Sequence, residues 1–252
     1  MKLDSTKYHL VNVADGHEFE DKGWTLSDPS GKVPSLVRAV YDNRSFTPRP
    51  ELDGIYRYAN WMPISKTLKK SCAPVTYKSK GLAKFLGLEN LYITYSGWNP
   101  KLGAKFRTCS FKETEAYSVL ARMGSREKRI LVVQSAGNTA RAFAQVCSDN
   151  KIPIVICVPC DCLHDLWFTK KLNKCVKLVT VPHGCDYYDA ISVGEKLAED
   201  PMFMLEGGAK NIARRDGMGT TILSFAEKTG VIPDAYFQAV GSGTGAIAAW
   251  EN

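Results

Sequence analysis

The feature that most constrains the fold is an alternation of apolar strands and helical stretches over the C-terminal half of the chain. Residues 112–123 have apolar side chains at the spacing of one helix face. Short β-branched runs then alternate with further helical segments. The predicted strands are 130–133, 152–158, 177–181 and 235–240, and the other predicted helices are 139–148, 186–198 and the stretch from 246 onward. This alternation predicts an α/β protein with parallel sheets.

The same pattern divides the chain into three parts. Residues 1–60 are rich in turn-forming residues, which predicts an N-terminal extension of short strands and loops. Residues 61–125 together with 201–252 are expected to form one lobe, and residues 126–200 a smaller α/β lobe. The sequence stops a few residues into the last predicted helix, which would bury little surface there. We therefore expect a fragment whose C-terminal sheet and helix are missing.

Composition restricts the class of function. The 252 residues are 44% hydrophobic and 23% charged, as in ordinary globular proteins, and no apolar run is long enough to cross a bilayer. The N-terminus lacks a secretory signal, so we expect a cytoplasmic protein without membrane contact. The net charge of +7 favours anionic partners. Because basic residues are scattered among acidic ones, small anions are favoured over nucleic acid.

The eight cysteines are expected to be reduced thiols. Cys157, Cys160 and Cys162 have a spacing that invites a metal-site interpretation. However, Cys157 lies in an apolar run, and the second matched pair that makes zinc motifs specific is missing. The sequence therefore predicts no metal.

A glycine-rich turn follows the last predicted strand and leads into a helix. It reads Gly241-Ser242-Gly243-Thr244-Gly245. Backbone N–H groups at such a turn, the positive end of the helix dipole and two hydroxyl groups favour phosphate binding. A glycine-rich turn without a ligand is the alternative, because single glycine loops are weak evidence.

A second turn of this kind joins the strand at 130–133 to the next helix. It contains Ser135, Gly137, Asn138 and Thr139. Its free N–H groups and hydroxyls could bind a carboxylate, and the Asn138 amide both donates and accepts hydrogen bonds. Taken alone, an ordinary helix cap explains the turn as well.

Lys112 follows Ser110-Phe111 at the start of a predicted helix. Most lysines are solvated surface charges. A desolvated lysine, in contrast, loses its proton readily and can form a Schiff base with a carbonyl group.

In this order the three elements resemble the fold-type II pyridoxal-phosphate enzymes, the group that includes the tryptophan synthase β chain, and within it the threonine synthases. Gly54-Ile55-Tyr56-Arg57-Tyr58 and the pair Asn99-Pro100 before Ser110-Phe111-Lys112 are similar to stretches of that family. The resemblance covers about residues 54–252. It implies two Rossmann-like lobes with parallel sheets, a homo-oligomer, and pyridoxal 5′-phosphate as cofactor.

The resemblance also implies a role for each motif. Lys112 would bind the cofactor covalently and act in catalysis, and Asn138 would contact the ring hydroxyl. The partner of the ring nitrogen would lie beyond residue 252. Residues 61–125 and 201–252 would therefore form an incomplete cofactor-binding lobe. The glycine turn would bind the cofactor phosphate through Gly241, Ser242, Gly243, Thr244 and Gly245. The turn after residue 134 would bind the substrate carboxylate through Ser135, Gly137 and Thr139.

Departures from the family affect the substrate. Residues 101–109 are an insertion that adds three cations shortly before Lys112, and Glu113-Thr114 stands where threonine synthases have Asp-Arg. The pattern is similar to the methanogen-type members, which join O-phosphoserine and sulfite into cysteate for coenzyme M. Lys105 and Arg107 would then neutralise the substrate phosphate or sulfite.

Three alternatives stay open. The protein could act as a threonine synthase on O-phosphohomoserine, or use sulfide in a cysteine synthase type of replacement. It could also be a non-catalytic α/β module that binds a phosphorylated ligand, which would keep the glycine turn but have no need of Lys112.

Overall fold

The computed structural model describes residues 1–4, 6–124 and 127–252. The strands are β1 Tyr8–Asn12, β2 Glu18–Phe19, β3 Val37–Tyr41, β4 Val75–Lys78, β5 Tyr92–Tyr95, β6 Trp98–Asn99, β7 Ala104–Lys105, β8 Ile130–Gln134, β9 Ile154–Pro159, β10 Val176–Val181 and β11 Phe203–Leu205. The α-helices are α1 Gly81–Leu86, α2 Lys112–Arg122, α3 Asn138–Asn150, α4 Tyr187–Leu197, α5 Ile212–Thr229 and α6 Thr244–Glu251.

Four strands form a parallel sheet in the order β10-β9-β8-β11. Alternate side chains of β8 point to opposite faces. Leu131 and Val133 pack in the main core with Phe143 of α3, whereas Val132 packs with Ala190 of α4. Helices therefore cover both faces, as parallel sheets require. The predicted α/β class with a parallel sheet is confirmed.

Helices α2 and α5 form the centre of the second region. Almost every residue of α2 is buried. A Cβ atom at Gly217 would lie 2.5 Å from the carbonyl oxygen of Thr114, and one at Gly219 would lie 3.0 Å from that of Ala248. These two glycines let α5 approach α2 on one side and α6 on the other. Helix α5 thus connects the helix that begins at Lys112 with the helix that follows the glycine turn.

The N-terminal residues form an antiparallel sheet in the order β2-β1-β3. Leu10 and Val37 of this sheet pack against Ile212 at the start of α5. The Arg215 guanidinium donates a hydrogen bond to the Val37 carbonyl oxygen, and the Tyr41 hydroxyl donates to Asp216. The N-terminal sheet is therefore attached to α5.

Two expectations differ from the structure. Residues 235–240 were predicted as a strand, but they are irregular, with Phe237 and Val240 largely exposed. An apolar run becomes a strand only beside a hydrogen-bonded neighbour, and the described residues provide none for this segment. Two parallel sheets are expected from the resemblance, and the described residues contain one of them. The strand pairs β4-β5 and β6-β7 are antiparallel.

Across the described part of the chain, no helix combines the length and the apolar composition of a membrane span.

Candidate active site

The polar turns of the parallel sheet lie at one edge, because the carboxyl ends of parallel strands meet there. Ser135 follows β8, Cys160 follows β9, His183 lies two residues beyond β10, and Glu206 follows β11. This edge is the usual ligand-binding position in open α/β sheets. Glu206 and Ser135 follow neighbouring strands, so the turn predicted to bind a carboxylate lies beside a buried acid.

Lys112 begins α2, and its local contacts fix the start of that helix. The Lys112 N–H donates to the Ser110 hydroxyl at 3.2 Å, and the Glu113 carboxylate accepts from the Thr108 N–H and hydroxyl at 2.5 and 2.8 Å. The Lys112 side chain is 19% exposed. Its amine lies 3.4 Å from the Glu115 carboxylate and 4.8 Å from the centre of the Phe111 ring. Lys112 is therefore not a solvated surface lysine.

The turn at 135–139 is held by Ser135. Its hydroxyl accepts from the N–H groups of Gly137 at 3.3 Å and Ala140 at 3.1 Å, so Ser135 supplies the helix cap. Within the described residues, the N–H groups of Asn138 and Thr139 have no acceptor. Such groups at a helix start can bind a carboxylate. The Asn138 side-chain oxygen accepts from Arg141 at 3.0 Å.

Arg214 of α5 connects this turn with the surroundings of Lys112. Its guanidinium lies 3.2 Å from the Glu115 carboxylate and donates to Glu206 at 2.6 Å and to the Thr139 hydroxyl at 3.2 Å. Glu115 is fully buried and Glu206 is 3% exposed. A continuous chain of polar contacts therefore runs from the Lys112 amine to Thr139.

This cluster is incompletely hydrogen-bonded. Within the part of the chain that the structure describes, one oxygen of Glu115 and one of Glu206 are buried without a partner. Burial raises the pKa of Glu206, and the charge of Arg214 offsets only part of that effect. Burial would lower the pKa of Arg214, but Glu115 and Glu206 raise it above its ordinary value. The Nε of Arg214 is also buried without a hydrogen-bond partner among the described residues, so both the acids and the base of this cluster are incompletely satisfied.

The glycine turn has the backbone of an anion site. Gly243 precedes α6 with a φ angle of 78°, a conformation that glycine adopts without strain. Among the described residues, no atom of a neighbouring residue lies within 4 Å of the point where a Cβ atom would stand at Gly241 or Gly243. The hydroxyls of Ser242 and Thr244 are hydrogen-bonded to each other at 2.9 Å. No hydrogen bond joins the described turn to Lys112, and α5 provides the connection between them.

Lys105 and Arg107 are not brought to this cluster. The insertion forms the hairpin β6-β7, in which Lys105 is exposed opposite Trp98. Arg107 pairs with the buried carboxylate of Asp149 and donates to the Tyr117 hydroxyl at 3.1 Å. Asp149 is ten residues beyond Thr139 on α3, or about 15 Å along the helix. The Arg107 guanidinium is therefore engaged in an ion pair away from Thr139, and its role toward a substrate anion stays a prediction.

The cysteines do not form a cluster with matched ligands. Cys157 is buried in β9, and Cys160 and Cys162 lie in the following turn, with the Cys160 sulfur 3.6 Å from His183. All eight thiols are free. In residues 1–4, 6–124 and 127–252, no group of three or more His, Cys, Asp or Glu side chains could hold a metal ion.

Three residues of the cluster were missed in the sequence: Glu115, Glu206 and Arg214. For Glu115 a signal existed, because residues three apart on a helix share a face, and Lys112 and Glu115 have this spacing. Nothing local marked Glu206 or Arg214, since their meeting depends on the packing of α5 against α2.

The fold is that of an α/β protein in which the partly buried Lys112 is joined by polar contacts to the turn at the start of α3. The family model described as pyridoxal-phosphate dependent enzyme matches residues 73–252, and the chain belongs to this family.

Curated relatives agree with this assignment, and two solved structures are similar in fold. The chain is 47% identical to the cysteate synthase of Methanoculleus marisnigri, over 97% of this chain and 56% of that protein, and 48% identical to that of Methanocella paludicola, over 86% and 51%. It therefore spans about half the length of the curated relatives it matches. In fold it is similar to a pyridoxal 5′-phosphate-dependent aspartate racemase, with a TM-score of 0.54, 16% identity and coverage of 71% and 52%. Diaminopropionate ammonia lyase of Escherichia coli has a TM-score of 0.52, 13% identity and coverage of 98% and 65%.

The residues present fit this cofactor. A phosphorylated aldehyde needs an amine sheltered from water and N–H groups for its phosphate. Lys112 provides the amine, and the open space at Gly241 and Gly243 leaves room for a phosphate at the start of α6.

Proposed function

We propose that this chain is part of an enzyme that replaces the phosphate group of O-phospho-L-serine with sulfite, giving L-cysteate and phosphate. The observation that carries the proposal is the mostly buried Lys112 amine, joined through Glu115 and Arg214 to Thr139. This arrangement supports a role for Lys112 as proton acceptor near a turn that binds the substrate carboxylate. The identity to relatives named cysteate synthase supports the choice of product.

In this proposal each motif of the chain has a separate task. Lys112 binds the cofactor and, once released, moves the substrate proton. The N–H groups of Asn138 and Thr139 and the hydroxyl of Thr139 bind the substrate carboxylate, with Ser135 and Gly137 shaping that turn. The glycine turn at 241–245 binds the cofactor phosphate, with Thr244 buried at the helix start. Asn138 would also face the cofactor ring, because it begins α3 beside the same turn.

The proton transfers follow from the position of the amine. The Cα–H bond of the substrate breaks, the proton moves to Nζ of Lys112, and the Cβ–O bond breaks as phosphate leaves. The sulfur of sulfite then forms a bond to Cβ, and Nζ returns the proton to Cα. The chemistry that bound pyridoxal phosphate supplies is withdrawal of electrons from Cα. Lys105 stays a candidate for neutralising the phosphate or the sulfite, since it is exposed and close in sequence to Lys112.

The test uses the purified protein with added pyridoxal phosphate. It is supplied in turn with O-phosphoserine plus sulfite, O-phosphoserine plus sulfide, and O-phosphohomoserine. We expect cysteate and equimolar phosphate from the first mixture, and no activity in the K112A variant. Threonine from the third mixture without cysteate from the first would instead identify a threonine synthase.

A cytoplasmic location is proposed as well. Eight free thiols without a disulfide in the described residues are typical of a reducing compartment.

A further inference from the structure

Two glutamates follow Lys112 within the first turn of α2, and the structure gives them different surroundings. The oxygens of Glu113 accept hydrogen bonds from Thr108 and from the Cys72 thiol. These contacts fix the loop before the helix. Glu115 has no such partners from that loop, and instead faces Lys112 and Arg214.

The spacing of Lys112 and Glu115 keeps them on one face of the helix, because residues three apart are neighbours. One oxygen of Glu115 lies 3.4 Å from the lysine amine and 3.2 Å from Arg214. The other oxygen is buried without a partner among the described residues. Glu115 can therefore accept a second hydrogen bond from the amine without giving up Arg214.

Arg214 keeps this carboxylate in place. Its guanidinium is 13% exposed and also donates to Glu206 at 2.6 Å, so two acids share it. A guanidinium with several donors in a fixed plane can hold two carboxylates in defined orientations. The Nε of Arg214 thus forms an ion-pair contact with the same Glu115 oxygen that lies 3.4 Å from Lys112, without a hydrogen bond of its own.

We propose that Glu115 is a positioning residue for Lys112: it holds the amine when the lysine is free of the cofactor and orients it toward the substrate Cα. This inference rests on the proposed function. When the Cα–H bond breaks and the proton moves to Nζ, a charge pair forms with Glu115. When Nζ returns the proton, the amine becomes neutral and can bind the cofactor again.

The experiment measures the reactivity of Lys112 in the cofactor-free chain, so that it does not depend on turnover. Trace acylation with acetic anhydride between pH 6 and pH 10, followed by peptide mass spectrometry, gives the labelling rate of each lysine. In E115Q the charged contact that holds the amine at 3.4 Å is lost, and we expect Lys112 to be labelled at least five-fold faster at pH 7. In E115D the charge is retained, but the shorter side chain moves it away from the amine. We therefore expect a two- to three-fold increase in the labelling rate of Lys112.

The chain contains a matched control. Lys196 and Glu199 form a pair with the same spacing at 2.6 Å, but their side chains are 77% and 65% exposed. Because water and salt screen exposed pairs, E199Q should change the labelling of Lys196 by less than two-fold. Thermal unfolding of each variant shows whether it is folded, and E115D decides the question should E115Q fail to fold.

A second readout separates this inference from the proposed function. In the loaded enzyme, E115Q should retain the parent amount of cofactor fixed to Lys112 by borohydride and the parent KM within two-fold, while kcat falls at least ten-fold. Lys112 labelling at the parent rate in both Glu115 variants would overturn the positioning role. Failure of borohydride to fix cofactor to Lys112 in the unsubstituted protein would instead overturn the proposed function and leave the labelling result valid.

Discussion

The ion clusters near the two ends of α3 differ in how completely they are hydrogen-bonded. Asp149, near the C-terminal end, accepts hydrogen bonds at both oxygens from four donors: Lys70, Arg107, Gln145 and Lys170. Thr139, near the N-terminal end, belongs to the cluster in which one oxygen of Glu115 and one of Glu206 lack partners in the described chain. A satisfied cluster contributes to stability, whereas an unsatisfied one lowers it and is retained where a ligand completes it.

The largest stability effect is expected at the satisfied cluster. Burial would raise the pKa of Asp149, but hydrogen bonds from Lys170, Lys70 and Arg107 outweigh it and hold the pKa below its ordinary value. D149N should therefore lower the free energy of unfolding by about 2–3 kcal/mol at pH 7, with Lys70 and Lys170 half exposed and thus partly screened. Urea unfolding checks this value.

The sign of the pH dependence is a control for this prediction. A carboxylate with a lowered pKa stabilises the fold above its unfolded pKa and loses that contribution as the pH falls through its folded pKa. The difference between the parent and D149N should therefore shrink below about pH 4. A difference that stays constant down to pH 2 would show that charge is not the cause.

A third buried acid sharpens the comparison. Burial raises the pKa of Asp216 to about 7, although the hydrogen bond from Tyr41 and the charges of Arg215 and Arg122 oppose it. A raised folded pKa means that stability is greatest below about pH 4 and declines as the pH rises to about 7. In D216N this decline should disappear. Between pH 4 and pH 8 the parent should lose on the order of 2 kcal/mol of stability that the variant does not lose. Thermal unfolding in a series of buffers measures it, and an unchanged slope contradicts the assignment.

The smallest stability effect is expected at the site itself. Because burial raises the pKa of Glu206, its ionisation lowers stability as the pH rises above the ordinary range of a glutamate. E206Q should leave the free energy of unfolding within about 1 kcal/mol of the parent at pH 7, with any gain developing as the pH rises from the ordinary glutamate pKa of about 4.3 toward the raised folded pKa. The loss should appear instead in cofactor or substrate binding, measured by titration. A destabilisation as large as that of D149N would remove the distinction between the two clusters.

Much of the parallel-sheet region was predictable from sequence, because its signals are local. The strands β8, β9 and β10 and helices α2, α3 and α4 lie close to the predicted segments. Helix α5 was not predicted, although Asn211 caps it and Gly230 ends it with a φ angle of 73°. It is buried over most of its length, so it lacks a single apolar stripe, and Gly217 and Gly219 lower its helix propensity.

The candidate site was predictable only in its local motifs. The sequence indicated Lys112, the turn at 135–139 and the glycine turn, because each lies at a helix start. Glu206 and Arg214 escaped, since their contact with Glu115 depends on how α5 packs against α2. No local signal indicated that Arg107 pairs with Asp149, which lies 42 residues further along the chain.

The most direct test of the central claim is borohydride reduction of the protein loaded with pyridoxal phosphate, followed by peptide mapping. We predict one pyridoxyl group per chain on Lys112, and none in K112A, whose thermal unfolding should stay close to that of the parent. A pyridoxyl group on another lysine, or equal labelling of K112A, would contradict the claim that the Lys112 amine is the reactive group of this site.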